Sequence, residues 1–269
     1  MRTTVAAVLV VCLGFAVRAD AQDSAVSHAN RATGENYHVE IGGFLWDPTP
    51  AIAITSESLG IIGSRIGFVE DLGIERSMFK QVKVVLRAAT KHKFRFEYTP
   101  IDYDATAKLT RTIIFNGISY PVSLPVATDF KWRAYRFGYE YDFVYRDRGF
   151  AGLILEAKYT DVEATLRNAI DTEFVHARGP VPAVGFIGRG YVAPNISITG
   201  EFSFFPLPRD TFDRYKAKYY DFDLYGTVNF TDHFGALAGY RSFDVFYHIN
   251  KDEGDLTLRG LYFGGLVRF

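Results

Sequence analysis

Residues 135–143 read YRFGYEYDF, and they sort cleanly at the two-residue period of a β-strand. Tyr135, Phe137, Tyr139, Tyr141 and Phe143 fall on one face; Arg136, Gly138, Glu140 and Asp142 fall on the other. A soluble edge strand has no use for five aromatics on one face. A sheet with hydrocarbon on one side and polar groups on the other requires them.

Working outward from that stretch, the same alternation recurs along the chain. Val82, Val84, Leu86 and Ala88 oppose Gln81, Lys83, Val85 and Arg87, and Phe94, Phe96 and Tyr98 oppose Arg95, Glu97 and Thr99. Downstream, Leu153, Leu155 and Tyr159 oppose Glu156 and Lys158; Ile198, Phe202 and Phe204 oppose Thr199, Glu201 and Ser203; Phe222 and Leu224 oppose Asp221 and Asp223. The final strand, 259–269, places Leu261, Phe263, Val267 and Phe269 on one face and Tyr262 and Arg268 on the other. The first strand is expected over 37–46 and stopped by Asp47-Pro-Thr-Pro50, the third runs to the turn dipeptide Asn116-Gly117, and the sixth covers about 183–192. Ten strands result, with eight or twelve as alternative counts, since 47–76 has room for two more.

Turns alternate short (90–93, 145–149, 193–195, 231–234) and long (47–76, 104–128, 168–182, 206–215, 249–255), as in an up-and-down meander. A strand of about ten residues at ~3.4 Å each, tilted by about 45°, covers roughly 24 Å, the height of a transmembrane barrel's apolar band. Such a sheet must close, because an open edge would leave N–H and C=O groups unpaired in hydrocarbon. The expected fold is therefore all-β, a transmembrane antiparallel up-and-down barrel over 37–269.

The bulk numbers agree. Of 269 residues 16% are aromatic, with 24 Phe and 17 Tyr against 2 Met, whereas a soluble core of this size leans on aliphatic residues. Mean hydropathy is −0.01, so the apolar groups are interleaved with polar ones rather than segregated. Thirty basic and 31 acidic residues nearly cancel, which excludes nucleic-acid binding through a broad basic surface. At the N-terminus Arg2, the apolar run 5–17 and Ala19-Asp20-Ala21 form an expected signal peptide, residues 1–21, cleaved after Ala21. The sole cysteine, Cys12, lies inside it, so the exported chain would carry no disulfide. Residues 22–36 lack periodicity and are expected to form a flexible periplasmic tail.

Signal segment, aromatic strands, turn alternation and the terminal Phe269 together resemble bacterial outer-membrane β-barrel proteins. The resemblance implies outer-membrane localisation in a Gram-negative envelope, contact with outer-membrane lipid, and handling by periplasmic chaperones and the barrel-assembly machinery during biogenesis. It gives Phe263, Val267 and Phe269 the role of assembly signal. It implies no cofactor and leaves the oligomeric state open.

The inward face is expected to carry a lumen charge network of Lys83, Arg87, Arg95, Glu97, Arg136, Glu140, Asp142, Glu156, Lys158, Arg189, Glu201, Asp221, Asp223, Arg241 and Arg268. Mixed signs point to ion pairs filling a narrow barrel, or lining a conduit for small polar solutes. Catalytic motifs are scarce. Outer-membrane lipid A deacylases carry a His and a Ser two apart, and no His-x-Ser occurs here. Ten-strand outer-membrane proteases use acidic and Asp-His pairs at the rim; the nearest residues, Asp210, Asp213, Asp244 and His248, have no spacing that joins them, since Asp244 and His248 are about 13 Å apart along a strand. Gly188-Arg-Gly190 runs into Pro194 with no helix to follow, so it is no dinucleotide loop. His248, Asp252 and Glu253 form a solvated rim cluster rather than a metal site. The expected function is a non-enzymatic, porin-like barrel, structural or a narrow passive channel for small polar solutes, with ligand binding or adhesion at the cell surface through loop aromatics Phe115, Tyr120, Phe212 and Tyr215 as the alternative, and a rim-sited outer-membrane hydrolase behind it.

Overall fold

The computed structural model describes residues 32–55, 57–58, 61–123, 125–168, 172–205, 215–249 and 252–269. Ten long strands follow one another: β1 Val39–Thr55, β2 Phe79–Ala89, β3 His92–Lys108, β4 Pro125–Arg146, β5 Gly149–Arg167, β6 Thr172–Ala193, β7 Ile196–Phe205, β8 Tyr215–Asn229, β9 Phe234–Ile249 and β10 Asp252–Arg268. Each pairs antiparallel with its sequence neighbours, and β10 pairs with β1 from Glu40↔Arg268 to Thr55↔Glu253, closing the barrel. Phe269 completes the seam: its amide donates to the Val39 carbonyl, and its own carbonyl accepts from His38 and Val39.

The first strand does not stop at Asp47-Pro-Thr-Pro50, as the sequence suggested; it runs straight through to Thr55. Arg87 N–H donates to the His38 carbonyl and Phe68 N–H to that of Ile52, so the even-numbered backbone groups of β1 point away from β10. Pro48 and Pro50 share that parity. On that side β2 pairs only as far as Trp46↔Phe79, so the missing N–H groups are not needed. The third strand is shorter than expected, ending at Lys108, and Asn116-Gly117 turns a separate small hairpin, Ile113–Phe115 with Ile118–Tyr120. Asn116 and Gly117 have φ of 48° and 83°, the left-handed values a type I′ turn demands. The sixth strand is longer, because the expected loop at 168–182 is mostly strand paired to β5.

Along the strands the polarity of the two faces inverts. In the half near the short turns, Phe94, Phe137, Leu155, Phe186, Phe202 and Phe222 are exposed on the outside, while Arg95, Arg136, Glu156 and Asp221 are buried inside. Beyond a row of outward tyrosines, Tyr98 stacked on Tyr135 (ring centroids 4.8 Å apart) and Tyr135 near Tyr159 (6.3 Å), the pattern reverses. Ile101, Tyr103, Phe130, Trp132, Ala164 and Leu166 turn inward and are buried, and Asp102, Lys131 and Arg133 face out. The first half is built for lipid; the second obeys the soluble rule of apolar inside and charged outside.

At the hairpin end the segment after β1 folds back over the mouth and meets the small hairpin. Phe68, Leu72, Ile74, Ile113, Phe115 and Tyr120 are buried together. Phe115 and Tyr120, expected as exposed contact residues, are thus cap core, because the hairpin packs inward rather than projecting; Phe212 lies outside the described residues and Tyr215 is described by its backbone alone. Arg111 clasps the two segments, donating to Asp71 Oδ1 at 2.9 Å and Oδ2 at 2.6 Å and to the Arg65 carbonyl at 2.6 Å.

At the turn end, residues 22–31 lie outside the described residues, but 32–36 are not the loose tail expected. Ala32 N–H donates to the Asp147 carbonyl and Thr33 N–H to that of Pro194, and Gly34 N–H donates to Asp232 Oδ1 at 2.8 Å. The segment straps three of the four short turns, with buried Glu35 inside the mouth.

Partial burial raises the Asp71 pKa, but the Arg111 hydrogen bonds and the Gly67 N–H outweigh it and leave the carboxyl below its ordinary value. A depressed carboxylate contributes stability above its unfolded pKa and loses it as pH falls through the folded pKa. Limited proteolysis should therefore cut the 63–78 segment faster on acidification below about pH 4, and Asp71→Asn should give the same susceptibility at neutral pH while the barrel core resists in both cases.

Candidate functional site

The lumen is spanned by ion pairs between strands far apart in the barrel order. At mid-height Glu201 on β7 accepts from Lys83 Nζ of β2 at 3.0 Å and from Arg95 of β3 at 2.6 Å, with the Tyr225 hydroxyl donating at 3.0 Å. Arg241 of β9 meets Glu97 of β3 in a close pair and Asp221 of β8 at 2.8 Å. Lys158 of β5 reaches Asp221 at 3.1 Å, Glu156 at 3.2 Å and Ser203 Oγ at 2.9 Å. Arg136 donates Nε to Glu156 at 2.5 Å and lies 3.4 Å from Glu97. Asp223 accepts from the Tyr262 hydroxyl at 2.7 Å.

A second layer closes the turn end. Glu35 receives Arg87 at 3.0 Å, Arg189 at 2.8 Å and the Tyr191 hydroxyl at 2.9 Å. Arg268 donates to Glu40 at 2.7 Å and to Asn229 Oδ1 at 2.7 Å. Lys93 pairs with Glu140 at 2.6 Å and Asp142 at 2.8 Å, and Arg95 ties Glu140 to the upper layer at 2.7 Å.

All fifteen side chains named from the sequence as a lumen network lie in these two layers. Sequence reasoning missed Lys93, Glu35 and Glu40. Lys93 had been assigned to a turn although it shares the parity of Arg95, and Glu40 the parity of Phe44 and Trp46; Glu35 precedes any periodic segment, so no pattern marks it. With these three the layers hold nine cations and nine carboxylates among the described residues. Burying charge in a narrow barrel is tolerable only when the groups are matched; here all but Asp223 meet an opposite charge, and Asp223 accepts from the Tyr262 hydroxyl.

Above the charges the lumen turns apolar and opens a cavity of 270 Å³. Trp132, Tyr219 and Lys158 form its floor and Ile54, Phe130, Val245 and Leu256 its walls. Of the rim residues considered for catalysis, Asp210 and Asp213 lie outside the described residues, and His248 is described by its backbone alone, opposite Lys216 and Glu253. Asp244 is engaged on the outer wall by Thr257 at 2.8 Å and Arg259 at 2.9 Å. One Asp-His pair does form, unforeseen: His176 Nε2 lies 2.5 Å from Asp161 Oδ1 across the β5–β6 hairpin. Only the register of that hairpin, hidden behind an expected loop, could have brought them together. No group of three metal-ligating side chains forms among the described residues.

No family model matches the chain, and no curated protein matches its sequence. Among solved structures it is similar to the outer membrane protease OmpT from Escherichia coli, with a TM-score of 0.63 at 8% identity over 88% of this chain and 98% of that one. Shallower likenesses are to Ail of Yersinia pestis (TM-score 0.38, 8% identity, 85% of this chain and 99% of that one) and to the toluene transporter TodX of P. putida (0.36, 7%, 90% and 94%). The fold is that of a bacterial outer-membrane β-barrel.

Glu201 is the hub of the upper layer. Glu201→Ala leaves Lys83 and Arg95 facing each other without their shared carboxylate, and should lower unfolding stability in detergent by about 3–5 kcal/mol. Glu201→Gln, which retains hydrogen-bond acceptance, should lose less. Denaturant titration followed by tryptophan fluorescence ranks the three chains.

Proposed function

We propose that this chain is exported, inserted in the outer membrane, and acts there as a sealed, non-enzymatic barrel rather than as a passive channel. The observation that carries the reading is the set of ion pairs that cross the lumen, Lys83–Glu201, Arg95–Glu201 and Arg241–Glu97. Each pair places side chains in the path a hydrated ion would take. The Glu35 strap adds a second closure at the turn end. On this reading residues 1–21 are the leader and the short turns face the periplasm. Outer-membrane lipid contacts the aromatic belt, and periplasmic chaperones and the barrel-assembly machinery handle the chain in transit.

Phe263, Val267 and Phe269 are proposed as the assembly signal. Phe263 and Phe269 are exposed on the outer face of β10, available to a receptor before the seam closes. A hydrolase is the second reading, favoured by the likeness to a protease and by the Asp161–His176 pair. That pair is solvent-accessible on the wall of the hairpin, and its exposure works against it, since water reaches both side chains.

Planar-bilayer recording of the purified barrel is expected to show no unitary steps, while Glu201→Ala combined with Arg95→Ala should admit small intermittent ones; regular steps from the unsubstituted chain would defeat the sealed reading. Phe269→Ala is expected to cut the amount reaching the outer membrane severalfold in cells yet refold normally from urea into detergent, read by the mobility shift between unheated and boiled samples. A barrel that cleaves peptide libraries, and stops when Asp161→Asn is introduced, would establish the hydrolase instead.

A further inference from the structure

The turn end of the barrel holds a carboxylate in a seat shaped for one. Glu35 Oε1 accepts from Arg189 at 2.8 Å and from the Tyr191 hydroxyl at 2.9 Å, while Oε2 accepts from Arg87 at 3.0 Å. Arg87 also donates to the Glu35 carbonyl at 2.5 Å, and its guanidinium lies over the Tyr37 ring, 4.2 Å from the centre. All five of these residues are buried. Burial raises the pKa of Glu35, but the charges of Arg189 and Arg87 outweigh it and leave the carboxyl well below its ordinary value, so it is ionised at neutral pH. The neighbouring residue lets the chain enter: Gly34 has a φ of 83°, and a Cβ there would press on Arg268 Nη1 and Asn229.

The seat is assembled by closure of the ring. Glu35 meets Arg87 across 52 residues of chain and Arg189 across 154, and Gly34 meets Asp232 across 198. Arg87 belongs to β2, Arg189 and Tyr191 to β6 and Asp232 to the turn after β8, strands that gather round one mouth only in the finished barrel. Contacts that close loops of this length form after nearer pairings have shortened the path between them. Once docked, the strap reaches the seam itself. Asn229 donates to the Thr33 carbonyl at 2.6 Å and accepts from Arg268 at 2.7 Å, and Arg268 holds Glu40 of β1 at 2.7 Å. We propose that the mouth is a carboxylate-binding site whose resident ligand is this chain's own Glu35, and that the strap is a latch, docking last and slowing the reopening of the β1–β10 seam. With the Glu35 side chain removed, the same seat takes a small free carboxylate. This goes beyond the sealed reading and holds whether or not the lumen conducts.

Two probes in one molecule read the order of events. Asn36 is exposed beside Glu35, so in the chain carrying Cys12→Ser and Asn36→Cys a fluorescent maleimide reports strap docking by its anisotropy, while Trp46 and Trp132, both buried, report barrel formation by their emission. On refolding from urea into phosphatidylcholine vesicles, the tryptophan change is expected to finish before the anisotropy rises. Glu35→Ala should speed unfolding about tenfold or more and change the refolding rate by less than about twofold. Acetate should restore slow unfolding saturably; acetamide or chloride at equal concentration should not. The proposal is overturned if both signals rise together, if refolding slows as much as unfolding quickens, if unfolding matches that of the parent chain, or if chloride rescues as well as acetate. Should Glu35→Ala not refold alone, it is refolded with acetate present, and Glu35→Gln carries the rate comparison; acetate without effect, or a Glu35→Gln unfolding rate equal to the parent's, overturns the proposal in the same way.

Discussion

Everything in this barrel follows from one prohibition: a backbone N–H or C=O in hydrocarbon has no partner except another strand. Closure through β1 and β10 is the only way ten strands can meet it, and the seam is fastened to the last residue, with Phe269 bonded on both its amide and its carbonyl. Where the prohibition lapses the chain shows it. Pro48 and Pro50 on β1 and Pro180 and Pro182 on β6 stand where, among the described residues, β2 and β7 no longer pair with them, and all four have the parity that faces that side.

Closure at ten strands fixes the interior as well. With the outer face committed to aromatics, an apolar lumen would make the lower strands greasy on both faces and give them no preferred register; a slip by one residue would be invisible to them. Paired charges remove that degeneracy. Moving β4 by one position would send Tyr135, Phe137 and Tyr139 inward and pull Arg136 and Glu140 away from Glu156, Lys93 and Arg95. Buried ion pairs add little net stability over well-packed hydrocarbon. Here they specify which residue meets which.

Much of this is written in the sequence because period-two sorting is strong wherever lipid is on one side. The ten spans, the inward charges and the lipid face of β10 were all legible by parity. Three things were not. The strap at 32–36 has no periodicity, and Glu35 acquires meaning only beside Arg87 and Arg189, brought near by strands far along the chain. Prolines at 48, 50, 180 and 182 look like strand breaks until one knows which edge they face. The inversion of polarity was present but easy to misread as loss of pattern: in β3 the apolar parity changes from Phe94, Phe96 and Tyr98 to Ile101 and Tyr103, and in β4 from Phe130 and Trp132 to Tyr135 and Phe137. Because alternation continues through the change, those stretches are strand, and the point of change marks the edge of the apolar band.

That same change of parity explains why the cavity lies where it does. Below the tyrosine row the wall must be complete and the lumen is occupied by charge, so there is neither an entrance nor apolar space. Toward the cap the interior is apolar but filled, by Phe68, Ile113, Phe115 and Tyr120 packed over the mouth. Between them lies the apolar cavity lined by Phe130, Trp132, Val245 and Leu256. Among the described residues the apolar space of the lumen is therefore set at one height by the same backbone requirement that closes the barrel.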